Sequence, residues 1–199
     1  MGGASSVPQR PLAILAYGSL LYEPGSLGPL VVGVVPCRTP FPVEYGRASR
    51  RWGGGPVLVP HPHGGPVDGA LLLLADHLEL GQAVDMLAER EGLQGPRGVV
   101  QVEVPGDRLV LAASLPRNLP APDMTPAALA RRAVASVSGG RRNGVAYLAA
   151  ALGSGVVTPL SQAYREAVLA TAGASSLEEA ERLLALPRSE GRGMLDGLG

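Results

Sequence analysis

Leu12-Ala13-Ile14-Leu15-Ala16-Tyr17 is a short, unbroken apolar run that stops at Gly18-Ser19, just before Leu20. A run of this length without alternation reads as a buried strand, and Gly18 ends it in a tight turn. Such a turn lets successive backbone N–H groups point into one concavity, where they bind a carboxylate or an oxyanion without any charged side chain. The alternative is an ordinary strand-ending turn. Outward from this stretch, Val31 to Pro36 and Phe41 to Tyr45 read as strands separated by Thr39-Pro40. Any helix between Leu20 and Leu30 is short, because Pro24, Gly25, Gly28 and Pro29 interrupt it.

Gly46 to Gly55 reads as a loop that carries Arg47, Arg50, Arg51 and the single tryptophan, Trp52. Val57 to Val59 is a brief strand and Val67 to Ala75 a longer, buried one. From Leu78 to Arg90 the apolar residues Leu80, Ala83, Val84, Leu87 and Ala88 recur at helical spacing, which predicts a helix with that face on the core and Gly92 as its stop. Val99 to Val104 and Leu109 to Ala113 then read as a hairpin across Pro105-Gly106-Asp107-Arg108. After Pro116 the texture changes to four helical patterns, Pro126 to Val137, Gly144 to Leu152, Pro159 to Ala172 and Ser176 to Leu186, the last capped by Ser176 with Glu178 and Glu179 in its first turn. Strands in the first half and helices in the second make an α+β chain, without the regular βαβ alternation of a nucleotide-binding sheet. The expected organisation is one domain over 1–115 and a helical extension over 116–199 packed on it.

The composition narrows the chemistry. Among 199 residues the 17 basic side chains, all arginine, balance 17 acidic ones. Without lysine there is no Schiff base and no P-loop, and a balanced charge gives no electrostatic reason to expect nucleic acid or an anionic membrane as partner. The 28 glycines and 19 prolines predict a loop-rich chain, while the 46% hydrophobic content supplies a core. One cysteine, Cys37, forms no internal disulfide, and no run is long enough for a membrane span, so a soluble cytoplasmic protein is expected.

Glu91 is the leading candidate for chemistry. If Leu80, Val84 and Leu87 face inward, Glu91 follows Leu87 by one turn and joins that side, whereas Glu89 points elsewhere. A carboxylate turned toward apolar surroundings has its pKa raised by desolvation, which suits a general base and acid near neutral pH. The alternative is a solvated last turn with Arg90 as ion-pair partner. His61 and His63 share a side of an extended segment but lack a third ligand, so no metal is expected. Ser19 lacks the Gly-x-Ser-x-Gly context of a hydrolase nucleophile.

Taken in order, these motifs resemble the γ-glutamylcyclotransferase-like family. The match is carried by Ala16-Tyr17-Gly18-Ser19-Leu20, Trp52-Gly53-Gly54-Gly55, Val67-Asp68-Gly69-Ala70, Arg90-Glu91-Gly92 and Val99 to Val104, with a looser likeness at Asn143 to Leu148 and Thr158-Pro159-Leu160 to Tyr164. The resemblance implies a small mixed β-barrel of six to seven strands with flanking helices, and a pocket at its mouth. It implies cyclisation of a γ-glutamyl group to 5-oxoproline with release of an amine or amino acid, with Glu91 as the catalytic acid and base and Tyr17, Gly18, Ser19, Leu20 and Trp52 around the substrate. No cofactor is implied, and the partner is a small γ-glutamyl compound; a non-catalytic binding protein on the same fold is the alternative. Two positions depart from the pattern. Leu20 stands where some members have Asn, and Pro96-Arg97-Gly98 stands where many have a tyrosine, leaving Tyr45, Tyr147 or Tyr164 to serve from elsewhere.

Overall fold

The computed structural model describes residues 10–113, 124–137 and 142–185. In chain order the elements are β1 (Leu12–Ala16), α1 (Ser19–Tyr22), β2 (Val31–Arg38), β3 (Val43–Ser49), β4 (Gly55–Pro60), β5 (Asp68–Leu74), α2 (Leu80–Glu91), β6 (Val99–Val102), β7 (Leu109–Ala113), α3 (Pro126–Ser136), α4 (Gly144–Gly153), α5 (Ser161–Ala172) and α6 (Leu177–Ala185).

The opening apolar run is the centre of the molecule. β1 pairs antiparallel with β5, Ile14 opposite Leu72, and parallel with β7, Ile14 opposite Leu111. The five-stranded mixed sheet has the order β2-β5-β1-β7-β6. All five residues of β1 are buried, as its lack of alternation predicts. Strand geometry sends successive side chains to opposite faces. Leu12, Ile14 and Ala16 therefore meet Leu72, Leu74 and Leu111 beneath Ala83 and Leu87 of α2, while Ala13 and Leu15 join Leu71, Val110 and Ala112 on the other side. The β6–β7 hairpin forms as the sequence predicts, with Val100 opposite Ala112.

β3 and β4 form a separate antiparallel ribbon. The sequence reading ends the first of these strands at Tyr45 and places 46–55 in a loop; instead β3 runs on to Ser49. The register of the ribbon shifts between Glu44 and Arg47, and the extra residue lets a stretch with no hydrophobic alternation stay in the ladder. The described strands form two sheets, and among the described residues no closed barrel occurs.

The second-half helices cover the ribbon. Val57 and Leu58 of β4 share a core with Leu129 and Ala133 of α3, Val145 and Leu148 of α4, and Tyr164 and Val168 of α5. This close approach depends on glycine, since a Cβ on Gly55 would lie 2.4 Å from the Cα of Gly144. The helices start where their caps predict: Asn143 Oδ1 accepts the N–H groups of Val145 and Ala146, Thr125 precedes Pro126, and Ser176 Oγ accepts from Glu179. Glu44, fully buried, ties β3 to the start of α5 by accepting from Thr158 Oγ1 at 2.6 Å and from the Leu160 N–H at 3.1 Å. Two sequence expectations are corrected in α2: Leu80 stands 38% exposed rather than on the core face, and Arg90 is buried. No described helix is long and apolar enough to cross a membrane.

Candidate active site

The strand end, the ribbon, α2 and α4 line a cleft that opens to solvent. Its wall includes Tyr17, Ser19 and Leu20 from the turn after β1, Trp52 after β3, and Glu91 at the end of α2. These five were all named from the sequence, and the fold brings them to one place. Gly18, between them, takes φ +61°, ψ −136° as the residue before α1. Its missing Cβ matters, because one there would sit 2.7 Å from Tyr147 Oη and 3.4 Å from Leu58 Cδ1. The turn thus exists because glycine tolerates this backbone and leaves room for a phenol.

Glu91 owes its position to the helical period and to the stop behind it. Gly92 adopts φ 65°, and the Gly92 and Leu93 N–H groups bond back to Glu89 and Ala88 carbonyls, ending α2 at the cleft wall. The Glu91 side chain is 17% exposed and pairs with Arg90 Nη1 at 2.5 Å. Both sequence alternatives hold in part: the carboxylate faces the cleft, and the neighbouring arginine is its partner. The last turn is not solvated, however. Arg90 lies inside because its Nε and Nη2 donate to the Glu23 carbonyl, at 3.0 and 2.6 Å, and Nη2 reaches Ser19 Oγ at 3.2 Å. One buried guanidinium therefore ties α1 to the end of α2 and orients the carboxylate.

Among the wall residues that the sequence did not assign to the site, Tyr147 and Arg47 stand out. Tyr147, raised only as a possible substitute aromatic, lines the cleft from α4, accepts the Leu58 N–H at 3.2 Å through its hydroxyl oxygen, and meets Trp52 edge-on with centroids 5.0 Å apart. Burial holds its phenol well above the ordinary tyrosine value. Tyr45 and Tyr164, the other two substitutes, pack on each other in the core at 4.9 Å and are not part of the wall. Arg47, placed in a loop by the sequence, lines the cleft from β3. The only signal that could have found it is the chain Arg47-Ala48-Ser49 read as an extension of the strand, with small residues on either side of one long cation.

The electrostatics are mutual. The Tyr17 phenol is pushed up by burial and by the Glu91 carboxylate, with Arg47 opposing. Arg47 is pulled below its ordinary value by burial, with Glu91, Tyr147 and Tyr17 opposing. At the rim, Glu23 accepts Arg51 at 3.2 Å and Arg142 at 3.3 Å. The His61 and His63 rings lie 5.4 Å apart, tilted by 49°, outside this cleft, and among the described residues no three His, Cys, Asp or Glu side chains gather as a metal site. Compared with family models, curated proteins and solved structures, the chain matches none.

Proposed function

We propose that the protein is a γ-glutamyl cyclotransferase, acting on a γ-glutamyl amine or γ-glutamyl amino acid. The observation that carries this reading is the convergence of Glu91 with Tyr17, Ser19 and Leu20 on one cleft. In this reaction the substrate's α-ammonium loses a proton to Glu91, the freed amine attacks the γ-carbonyl, and the tetrahedral intermediate collapses to 5-oxoproline. The leaving nitrogen takes the same proton back and departs as an amine, which then accepts the extra proton shed by the ring nitrogen and leaves as the ammonium, so one carboxylate serves as base and then as acid. Backbone N–H groups of the Tyr17–Leu20 turn would receive the glutamyl carbonyl oxygen as it becomes negative. Because the nucleophile belongs to the substrate, the cleft's task is to hold the chain folded on itself. The two sheets would be the opened halves of the small barrel of the resemblance, with the cleft at the mouth between them, and the setting would be the cytoplasm.

A non-catalytic binding protein on the same fold is the second reading, favoured by the Arg90 guanidinium that already engages one Glu91 oxygen. One experiment separates them. Purified protein is incubated with γ-glutamyl dipeptides, γ-glutamylamines and glutathione, and 5-oxoproline is measured. Turnover that disappears in Glu91→Gln, with the melting temperature kept, supports the enzyme; no product from any substrate, or full activity in Glu91→Gln, overturns it.

A further inference from the structure

Three arginines line the cleft, and two of them are matched: Arg90 by Glu91, and Arg51 by Glu23 at 3.2 Å. Arg47 is not. Among the described residues its guanidinium makes no hydrogen bond or ion pair, and its Nε is buried without an acceptor. Burying part of an unpaired cation destabilises a fold unless something negative completes it. Glu91 stands in the same cleft, near enough for the two charges to act on each other, yet the pair is not in contact. A cation and an anion held apart across one cleft are complementary to a ligand that carries the opposite pair on neighbouring atoms, as the α-carbon of a free amino acid does.

We infer that Arg47 binds the α-carboxylate of the ligand, opposite Glu91 at its α-ammonium, so that the cleft takes compounds with an unblocked α-amino-acid end. The assignment of the ammonium rests on the cyclotransferase reading; that of the carboxylate rests on Arg47 alone. Positioning by Arg47 would also fix the amine within reach of its own carbonyl. The guanidinium fork meets a carboxylate through two parallel N–H donors, which a lysine cannot reproduce.

The test uses two probes that differ by one group, 5-oxoproline and 2-pyrrolidinone, titrated calorimetrically into the full chain. The wild type should bind 5-oxoproline at least about 10-fold tighter than the ring without the carboxylate, the scale of one charge-assisted hydrogen-bonded contact. Arg47→Met should erase that preference and Arg47→Lys keep part of it. Arg47→Met should melt no lower than the wild type, since it removes an unmatched buried cation; a purely structural arginine would give the reverse. On a γ-glutamyl substrate, Arg47→Met should raise KM about 10- to 100-fold. Equal binding of the two probes by the wild type, or an unchanged preference in Arg47→Met, overturns the inference. Turnover with an unaltered KM in Arg47→Met removes the carboxylate assignment alone, whereas an Arg47-dependent preference for 5-oxoproline in a protein that turns over nothing keeps this site and removes the cyclotransferase.

Discussion

Replacing Gly18 by Ala tests the tight turn on which the cleft depends. The backbone there, φ +61° with ψ −136°, lies in a region that is open almost only to glycine, and forcing another residue into it costs about 1–3 kcal/mol. The new Cβ would also stand 2.7 Å from Tyr147 Oη. That hydroxyl cannot retreat freely, because it accepts the buried Leu58 N–H at 3.2 Å; losing this bond adds about 1–3 kcal/mol. The expected total is about 2–6 kcal/mol, a fall in melting temperature of about 4–24 °C for a chain of this size. In a Tyr147→Phe background the oxygen is gone and only the backbone strain remains, so Gly18→Ala should be about 1–2 kcal/mol less harmful there. Urea unfolding of the four proteins measures both numbers. If Gly18→Ala unfolds at the wild-type midpoint, the turn is not strained; if its effect is the same in the Tyr147→Phe background, the phenol is not what glycine makes room for.

Glu44→Ala takes the acceptor from the Tyr45 and Leu160 N–H groups and leaves the Thr158 hydroxyl only Ser161 Oγ, 3.1 Å away, and should destabilise the fold by about 2–4 kcal/mol by chemical denaturation; a loss below about 1 kcal/mol would show that water takes the place of the carboxylate. Arg90→Met removes the bonds to the Glu23 carbonyl, Ser19 Oγ and Glu91 and should lower stability by about 2–4 kcal/mol while reducing turnover of the proposed substrates; unchanged turnover would mean that Arg90 does not orient Glu91. Burial raises the phenols of Tyr17, Tyr45, Tyr147 and Tyr164 above their usual value and pushes Tyr22 up to about 12. The folded state therefore favours the protonated phenols. Stability should be intact below about pH 10 and fall as pH rises beyond it, by about 1.4 kcal/mol per pH unit for each such tyrosine. Absorbance at the phenolate band and circular dichroism should change together, and phenolate formation near pH 10 in a still-folded protein would contradict the burial.

What was legible in the sequence was what local rules control. The opening run, the helix over Leu80–Glu91 with Gly92 behind it, and the capped helices after Asn143 and Ser176 carry their own period, cap or stop. Glu91 was found because a helix converts spacing into direction. Arg47 was not, because its direction depends on a register shift in β3 that only the partner strand specifies. Leu80 carried the right period yet stands exposed at the first turn, while Leu78 before it and Ala83 after it take the buried places, so its exposure is a matter of tertiary placement. Tyr147 sits on a helix whose pattern shows one apolar face among several, and its role at the wall depends on the paired glycines Gly55 and Gly144, a contact between distant parts of the chain.

That glycine contact has a consequence for how the protein comes into being. The cleft's floor is made from the first residues of the chain, but its wall is completed by α4, and the bond that fixes the wall joins residues 89 positions apart in sequence. On a ribosome the sheet strands and Glu91 emerge well before Tyr147, so the strand-rich half collapses while the site is still a groove open along one side. A contact of such separation pays its loop-closure entropy late, and the helical half therefore works less as an appendage than as the last step of assembly. Ligand binding should appear only once synthesis has passed α4, and cutting the chain between its two halves should leave neither with a pocket.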